Sequence, residues 1–359
     1  MATDTVSNRI VLLRLPLIAC LAASLLAGCQ SIGSVTVPRD RMDYATAIGE
    51  SWKQMMLLNI VKLRYLDMPV YLDIDSVISS YSLASEVNIG ASIFPRAQDA
   101  SNASLGVSRS FTESPTISYA PLTGERLVSS LLRPLPPETV FAMIGGGRRA
   151  DHLLRVTVRS INRLRNASTM SPTADAADPA FIRVIEAISR IEQAGALGMA
   201  VDPGKDQPST FVVFDPTVEA AAEDIQTVKT LLGLDRERNA FRLGTGAGGG
   251  DAIALNTRSI QQILGELSSG VQVPEQDIKE ERATGRGRTG AGPAPLIAIR
   301  AGDERPDDAY VAVRYRNRWF WVDDRDLGSK RMFVFLMMFM SLAETGKSPQ
   351  GPLLTLPVR

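Results

Sequence analysis

Over residues 87–111 the chain changes side-chain character at every second position. Val87, Ile89, Ala91 and Ile93 alternate with Glu86, Asn88, Gly90 and Ser92. After a polar turn over 95–102, Ala103, Leu105, Val107 and Phe111 alternate with Ser104, Gly106, Ser108, Ser110 and Thr112, and only Arg109 breaks the apolar row. A period of two belongs to a strand and does not fit the 3.6 of a helix. Residues 85–113 are therefore expected to form an antiparallel β-hairpin with one apolar face and one small, polar face. Helical periods flank it on both sides, which confines the chain to the α+β class.

Upstream, Asp40 is placed to cap a long N-terminal helix ending before Pro69. Ala45, Ile48, Trp52, Met55, Asn59, Leu63 and Leu66 recur there at three- and four-residue steps, a buried stripe in which Asn59 needs a hydrogen-bond partner. Residues 70–81 and 116–120 read as strands, the first carrying Asp73 and Asp75. A helical block follows over 124–132, 136–144 and 151–164, punctuated by Pro134, Pro136, Pro137 and Gly145–Gly147. After a loop at 167–177, Asp178-Pro179 starts a helix with Ile182, Ile185, Ile188 and Ile191. Beyond it, strands followed by a helix recur as ββα-type units, expected to share an antiparallel sheet: 196–202, 210–215 and helix 216–232; 241–244, 252–255 and helix 258–267; then 296–300, 310–315 and 319–322 before helix 329–344. The apolar MFVFLMMFM stretch of the last helix is too short to cross a bilayer and suits a core. Residues 274–294, charged and Gly-rich, suit a flexible linker. The expected divisions are 40–166 for helix, hairpin and helical block, 178–273 for an α+β domain, and 295–345 for a hairpin with a C-terminal core helix.

At the N-terminus, Arg9 and Arg14 precede an uncharged run from Leu15 to Leu26. As a helix that run spans about 18 Å, short of the roughly 30 Å of bilayer hydrocarbon. A basic start, a short apolar run and small residues make the layout of a secretory signal. Its end, Leu26-Ala27-Gly28-Cys29 followed by Gln30, resembles the lipobox of bacterial lipoproteins. The resemblance implies a signal peptide over 1–28, recognised by its peptidase at Leu26, Ala27 and Gly28, and a diacylglycerol on the Cys29 thiol. By the same resemblance Gln30, in place of Asp, implies sorting to the outer membrane, with the body facing the periplasm. Residues 29–39 would be a lipidated tether, reaching roughly 35 Å if extended. An uncleaved anchor, or a plain secretory signal with an incidental cysteine, is the alternative.

Composition then narrows the chemistry. The 39 basic and 39 acidic residues cancel, which removes the electrostatic case for nucleic-acid binding. Loss of 1–28 takes Asp4, Arg9, Arg14 and Cys20 away, leaving 37 basic and 38 acidic residues and no free thiol once Cys29 is acylated. So few cysteines and histidines point to no metal site, and to no cofactor beyond the covalent lipid. His152 is the lone imidazole; it stands beside Arg148, Arg149 and Arg155, which resist its protonation, and no G-x-S-x-G or S-x-x-K motif supplies a serine nucleophile. The run Gly244–Gly250 lacks the Lys-Ser/Thr of a P-loop and reads as a flexible connection between strands. Asp323, Asp324 and Asp326 do not match a Ca²⁺ loop, and Asp326 suits a helix start. Asp73 with Asp75, and Asp323 with Asp324, are the carboxylate pairs open to a glycan-cleaving enzyme. On a helix, Arg155, Arg159 and Arg163 would form one column with Arg148 and His152. That column would be an anion-facing stripe for lipid headgroups, acidic polysaccharide or a partner's carboxylates; a solvated face neutralised by nearby acids is the plain alternative. Tyr315, Trp319, Phe320 and Trp321 are available to hold a sugar ring or to pack a core.

Three stretches, NIVKLRYLDMPVYLDIDSV (59–77), SPTISYAPLTGERLVSSLLRPLPPE (114–138) and VRYRNRWFWVDDRDLGSKRMF (313–333), resemble proteobacterial envelope lipoproteins of unknown function. The resemblance implies no reaction and no catalytic residue; the only transferred role is the lipid attachment at Cys29. The expectation is a non-enzymatic structural or assembly component held at the membrane by its lipid, with an envelope protein or further copies of itself as partner. A subunit of an oligomeric outer-membrane export channel is the second expectation, since strands near ten residues with one apolar face suit a membrane barrel. One hairpin cannot span lipid alone, and Arg109 would be costly facing it. A periplasmic glycan- or lipid-modifying enzyme is the third.

Overall fold

The computed structural model describes residues 32–78, 81–92, 102–146, 149–169, 175–203, 208–283 and 295–343, and its helices and largely antiparallel sheets make it α+β, as the periodicities require. The chain divides into two compact units, residues 1–49 with 74–118 and residues 50–73 with 119–359.

In the first unit, α1 (Ile32–Arg64, this unit's share ending at Gly49) starts upstream of the expected Asp40 cap and runs through Pro38. Once a helix is nucleated, each further residue adds a bond at little cost, and this outweighs both the gap at Pro38 and the expected extended tether. β1 (Leu72–Ile78) pairs with β4 (Thr116–Pro121), and β2 (Tyr81–Ser92) with β3 (Asn102–Glu113). Pro115, which has no N–H to donate, lies between β3 and β4, where one two-stranded ladder ends and the other begins. The β2–β3 register runs unbroken from Tyr81↔Glu113 to Ser92↔Asn102 and sets Val87 opposite Val107, Ile89 opposite Leu105 and Ala91 opposite Ala103. Both apolar rows thus share one face, the arrangement that a one-residue slip would destroy. On the other face Ala84, Glu86, Gly106, Ser108, Ser110 and Thr112 are exposed.

In the second unit, the end of α1 buries Met56, Leu57, Ile60 and Val61, and Tyr65 just beyond it is buried too. The expected stripe is corrected at its ends: Ala45 is exposed, and Leu66 is 82% exposed because it has left the helix with φ 57°. Asn59, 1% exposed, donates to Val70 O at 2.9 Å and accepts from Val70 N–H at 3.0 Å, so it is a satisfied core amide that ties the helix end to the next segment. α2 (Gly124–Leu127), a π-helical turn (Val128–Leu132), α3 (Pro137–Gly145) and α4 (Ala150–Thr157) lead into the main sheet.

That sheet has the order β6-β5-β10-β9-β8-β7. Its strands are β5 (Val158–Ile161), β6 (Leu164–Arg165), β7 (Leu197–Asp202), β8 (Ser209–Phe214), β9 (Ala240–Gly244) and β10 (Ala252–Thr257). The β5–β10 ladder crosses segment 167–177, so strands from both sides of that expected boundary share one sheet. Helices α5 (Pro179–Gln193) and α6 (Ala222–Leu232) pack on each other, and α4 packs on α5. Phe181, Val184, Ile185, Ile188 and Ile191 of α5 are in the core.

One pairing departs from the expected antiparallel sheet: β9 and β10 are parallel, with Ala252 beside Arg242. Parallel neighbours ordinarily need a crossover of a dozen or more residues; here only 245–251 return the chain. Gly246, Gly248, Gly249 and Gly250 make this reversal possible with φ of 107°, 64°, 105° and 63°, conformations largely closed to residues with a Cβ. Asn256 grips Gly246 from both sides (3.1 and 3.0 Å), and Gly250 N–H donates to Gly233 O at 2.9 Å. The glycine run is therefore a hydrogen-bonded crossover and not the flexible connection expected.

α7 (Ile260–Ser268) begins in a capping box between Ser259 and Gln262. The start of the expected linker is structured: α8 (Glu275–Lys279) lies in it, and Asp277 accepts the Tyr65 hydroxyl at 2.7 Å. Residues 284–294 fall outside the described residues. β11 (Arg300–Gly302), β12 (Ala309–Tyr315) and β13 (Arg318–Asp323) form a sheet of order β11-β13-β12, turned at Arg316-Asn317, both with positive φ. α9 (Leu327–Ala343) buries Phe333, Phe335, Leu336 and Phe339 and packs on α7, β13 and the π-helical turn. Among the described residues no helix is long and apolar enough to cross a membrane.

Candidate functional site

Val156, Thr157 and Val158 are β-branched, and stiff side chains of that kind favour extended backbone over another helical turn. α4 accordingly stops at Thr157, whose hydroxyl donates to Leu153 O at 2.8 Å, and the chain continues as β5. Asn162, with φ 51°, turns it into β6 while its amide donates to Leu232 O at 2.7 Å and accepts from Ala254 N–H at 2.8 Å. In the resulting register Ser160 lies between Arg165 on β6 and Asn256 on β10. This row lines a polar cleft of about 690 Å³, together with Arg159, Asn166, Ser168, Asp175, Gln262 and the pair Arg258–Glu266.

Arg258 and Glu266 are 3% and 6% exposed and 3.3 Å apart. Arg258 donates to Arg155 O (2.9 Å), Val156 O (3.0 Å) and Ala167 O. Glu266 accepts from the Ser168 hydroxyl and from both N–H and hydroxyl of Thr169, each at 2.7 Å. Burial pulls the Arg258 pKa down and the Glu266 charge opposes that. With these bonds made, the pair holds loop 166–169 against α4 and α7; it is a clasp for the cleft wall. A cavity of about 110 Å³, lined by Arg155, Ala177, Ile182 and Leu296 among others, borders the same pair.

The expected arginine stripe does not form, because the helix expected over 151–164 ends at Thr157. Arg155 stays on α4 and faces Glu186 at 3.8 Å, Arg159 moves to β5, Arg163 sits in the β5–β6 turn, and Arg148 lies outside the described residues. Of these only Arg159 lines the cleft; Arg165 and Arg258, which sequence reasoning did not single out, join it there. The signal for Arg165 was present as Val-Thr-Val followed by Ile-Asn, a strand and turn pattern.

Burial holds the His152 pKa below the usual imidazole value; Asp151 opposes this, while Arg149, Arg331 and Arg155 reinforce it. Ser189 donates to Asp151 (3.4 Å) and not to the ring, so the three side chains do not make a nucleophile–base pair. Asp323 pairs with Arg300 at 3.2 Å and Asp324 with Lys330 at 2.6 Å. Asp326 caps α9, accepting from Ser329 N–H (3.0 Å) and hydroxyl (2.6 Å), and these bonds hold its carboxyl below the usual range. The side chains of Asp73 and Asp75, and the whole of Leu26, Ala27, Gly28 and Cys29, lie outside the described residues. No group of three or more metal-ligating side chains occurs among the described residues. Tyr315 and Phe320 meet Tyr65 edge-on, Tyr315 donates to Asp67 at 2.9 Å, and Arg305 lies over Trp319, so this aromatic hairpin is engaged in packing.

No protein-family model, curated protein or solved structure matches the chain. Among the described residues, the β2–β3 ribbon has open edges and the polar cleft has room for a ligand.

Proposed function

We propose that the protein is a non-enzymatic assembly component of a bacterial outer membrane, tethered on the periplasmic side by a lipidated Cys29, with the β2–β3 ribbon as its assembling element. The observation that carries this reading is the ribbon itself. It has twelve residue pairs in unbroken register but two strands only, and neither outer edge is laddered among the described residues. A two-stranded ribbon is marginal in water, and an open edge is a template for another strand. Further copies of the same ribbon offer that strand, and a shared membrane anchor raises their local concentration. The lipobox supports the anchor.

The same strands favour a second reading. Twelve residues, about 40 Å of strand, exceed the 9–11 needed to cross a bilayer, so a ring of ribbons could close into an export channel. The test is the mass of the detergent-extracted lipoprotein by light scattering. A multiple of the protomer mass, collapsing to one protomer when 83–111 is replaced by a short Gly-Asn-Gly connection, is the expected result; a single protomer for the intact chain refutes it. Steady conductance in a planar bilayer would select the channel, and a silent bilayer would remove it. Cys29→Ser should lose palmitate labelling and membrane fractionation; retention of both overturns the anchor.

A further inference from the structure

We infer that the cleft on the six-stranded sheet binds a phosphate group carried on a polar, sugar-sized ligand. Its donors outnumber its acceptors. Three guanidinium groups in the lining face two carboxylates, Glu266 beside Arg258 and Asp175, which leaves the cleft net positive. Arg159 and Arg165 have no side-chain partner among the described residues; Asp178 accepts the Arg165 backbone N–H at 2.7 Å. The neutral lining is poised the same way. Gln262 spends its carbonyl oxygen on Ser259 N–H, leaving its NH₂ to donate. Ser160 accepts from Asn256, leaving its hydroxyl proton to donate.

Forked guanidinium groups are suited to oxyanions. Two such forks can engage the three terminal oxygens of a phosphate monoester, which carries about −1.5 to −2 at neutral pH, where a single carboxylate offers only two. About 690 Å³ exceeds what phosphate alone fills and lies within the range of small-molecule sites. The Arg258–Glu266 clasp, buried behind this lining, fixes loop 166–169 before any ligand arrives, so little ordering entropy opposes binding. The site lies wholly in the second unit and does not depend on the ribbon.

Isothermal titration of the detergent-purified lipoprotein tests this with glucose 6-phosphate, glucose, gluconate, inorganic phosphate and dihexanoylphosphatidic acid. Binding of a phosphorylated probe at millimolar concentration or below is expected, with gluconate and inorganic phosphate weaker by about tenfold or more. If dihexanoylphosphatidic acid is the tighter probe, the source is a lipid headgroup; if glucose 6-phosphate is tighter, it is a soluble phosphorylated compound. Arg165→Gln should weaken binding by about tenfold or more, Arg165→Lys by less, and Arg159→Gln with Arg165→Gln should abolish it while the melting curve is unchanged. The proposal is overturned if no organic phosphate binds, if gluconate or inorganic phosphate binds as well as the best of them, or if the double variant keeps its affinity.

Discussion

If the glycine run is a fixed crossover, Gly248→Ala must be costly and its neighbours must not be equally so. A Cβ at Gly248 would run into Asn162 Oδ1 and approach Ala254 N at 2.9 Å. Asn162, 7% exposed, would have to move and release two buried bonds, to Leu232 O and from Ala254 N–H. Each buried group left unsatisfied costs about 1–3 kcal/mol, and holding alanine at φ 64° costs roughly 1–2 kcal/mol more. The expected loss is about 3–8 kcal/mol. Gly250→Ala isolates the backbone share: its φ is 63° but its Cβ meets nothing within 4 Å, so about 1–2 kcal/mol is expected. Gly244→Ala, with open space and no positive φ, should change stability by less than about 1 kcal/mol. Urea unfolding followed by circular dichroism, with the m-value checked across the series, reads all three. Equal stabilities for Gly248→Ala and Gly244→Ala would refute the crossover argument.

Removing one half of the buried clasp should be as damaging: Glu266→Ala leaves Arg258 without its counter-charge and should cost about 3–5 kcal/mol in the same assay, and a loss under about 1 kcal/mol would contradict its role. Because His152 is the lone histidine, one ring-proton resonance reports it, and its NMR titration midpoint should fall below about 6.5. The folded state then binds fewer protons than the unfolded one, so this residue's contribution is lost as pH drops below about 6.5 towards its folded pKa. A midpoint above that value contradicts the burial argument. Asp326→Ala should cost about 0.5–2 kcal/mol near pH 7 through loss of the α9 cap. Its carboxyl is held low in the folded state, so the deficit is full above about pH 4 and should shrink as pH falls through the folded value; a deficit independent of pH would contradict it.

What was legible in the chain was local. The 87–111 alternation needs no distant information to be a hairpin, and its register follows from setting the apolar rows opposite each other. Asn59, Asp326 and the MFVFLMMFM helix were also readable, because a buried amide, a helix start and a short apolar run each restrict their own surroundings. The arginine stripe misled because a four-residue spacing fits a helix only if the helix continues; Val156-Thr157-Val158 ended it and divided Arg155 from Arg159. The cleft was hidden for a different reason. Arg159 and Arg165 meet Asn256, Arg258 and Glu266 only through the β5–β10 ladder, nearly a hundred residues apart in sequence. The glycine crossover likewise depends on a parallel pairing that no local pattern reveals.

Hydrogen exchange resolved to single amides across 82–91 and 103–112, with the lipoprotein in its membrane, tests the assembly account most directly. A lone β2–β3 ribbon protects alternate amides, those that point across the hairpin, and leaves the outward-facing ones to water. If ribbons of neighbouring copies add to one another, both sets are protected together, in the membrane and in the detergent-extracted oligomer alike. Fast exchange at every second residue in the membrane-bound protein would contradict the account.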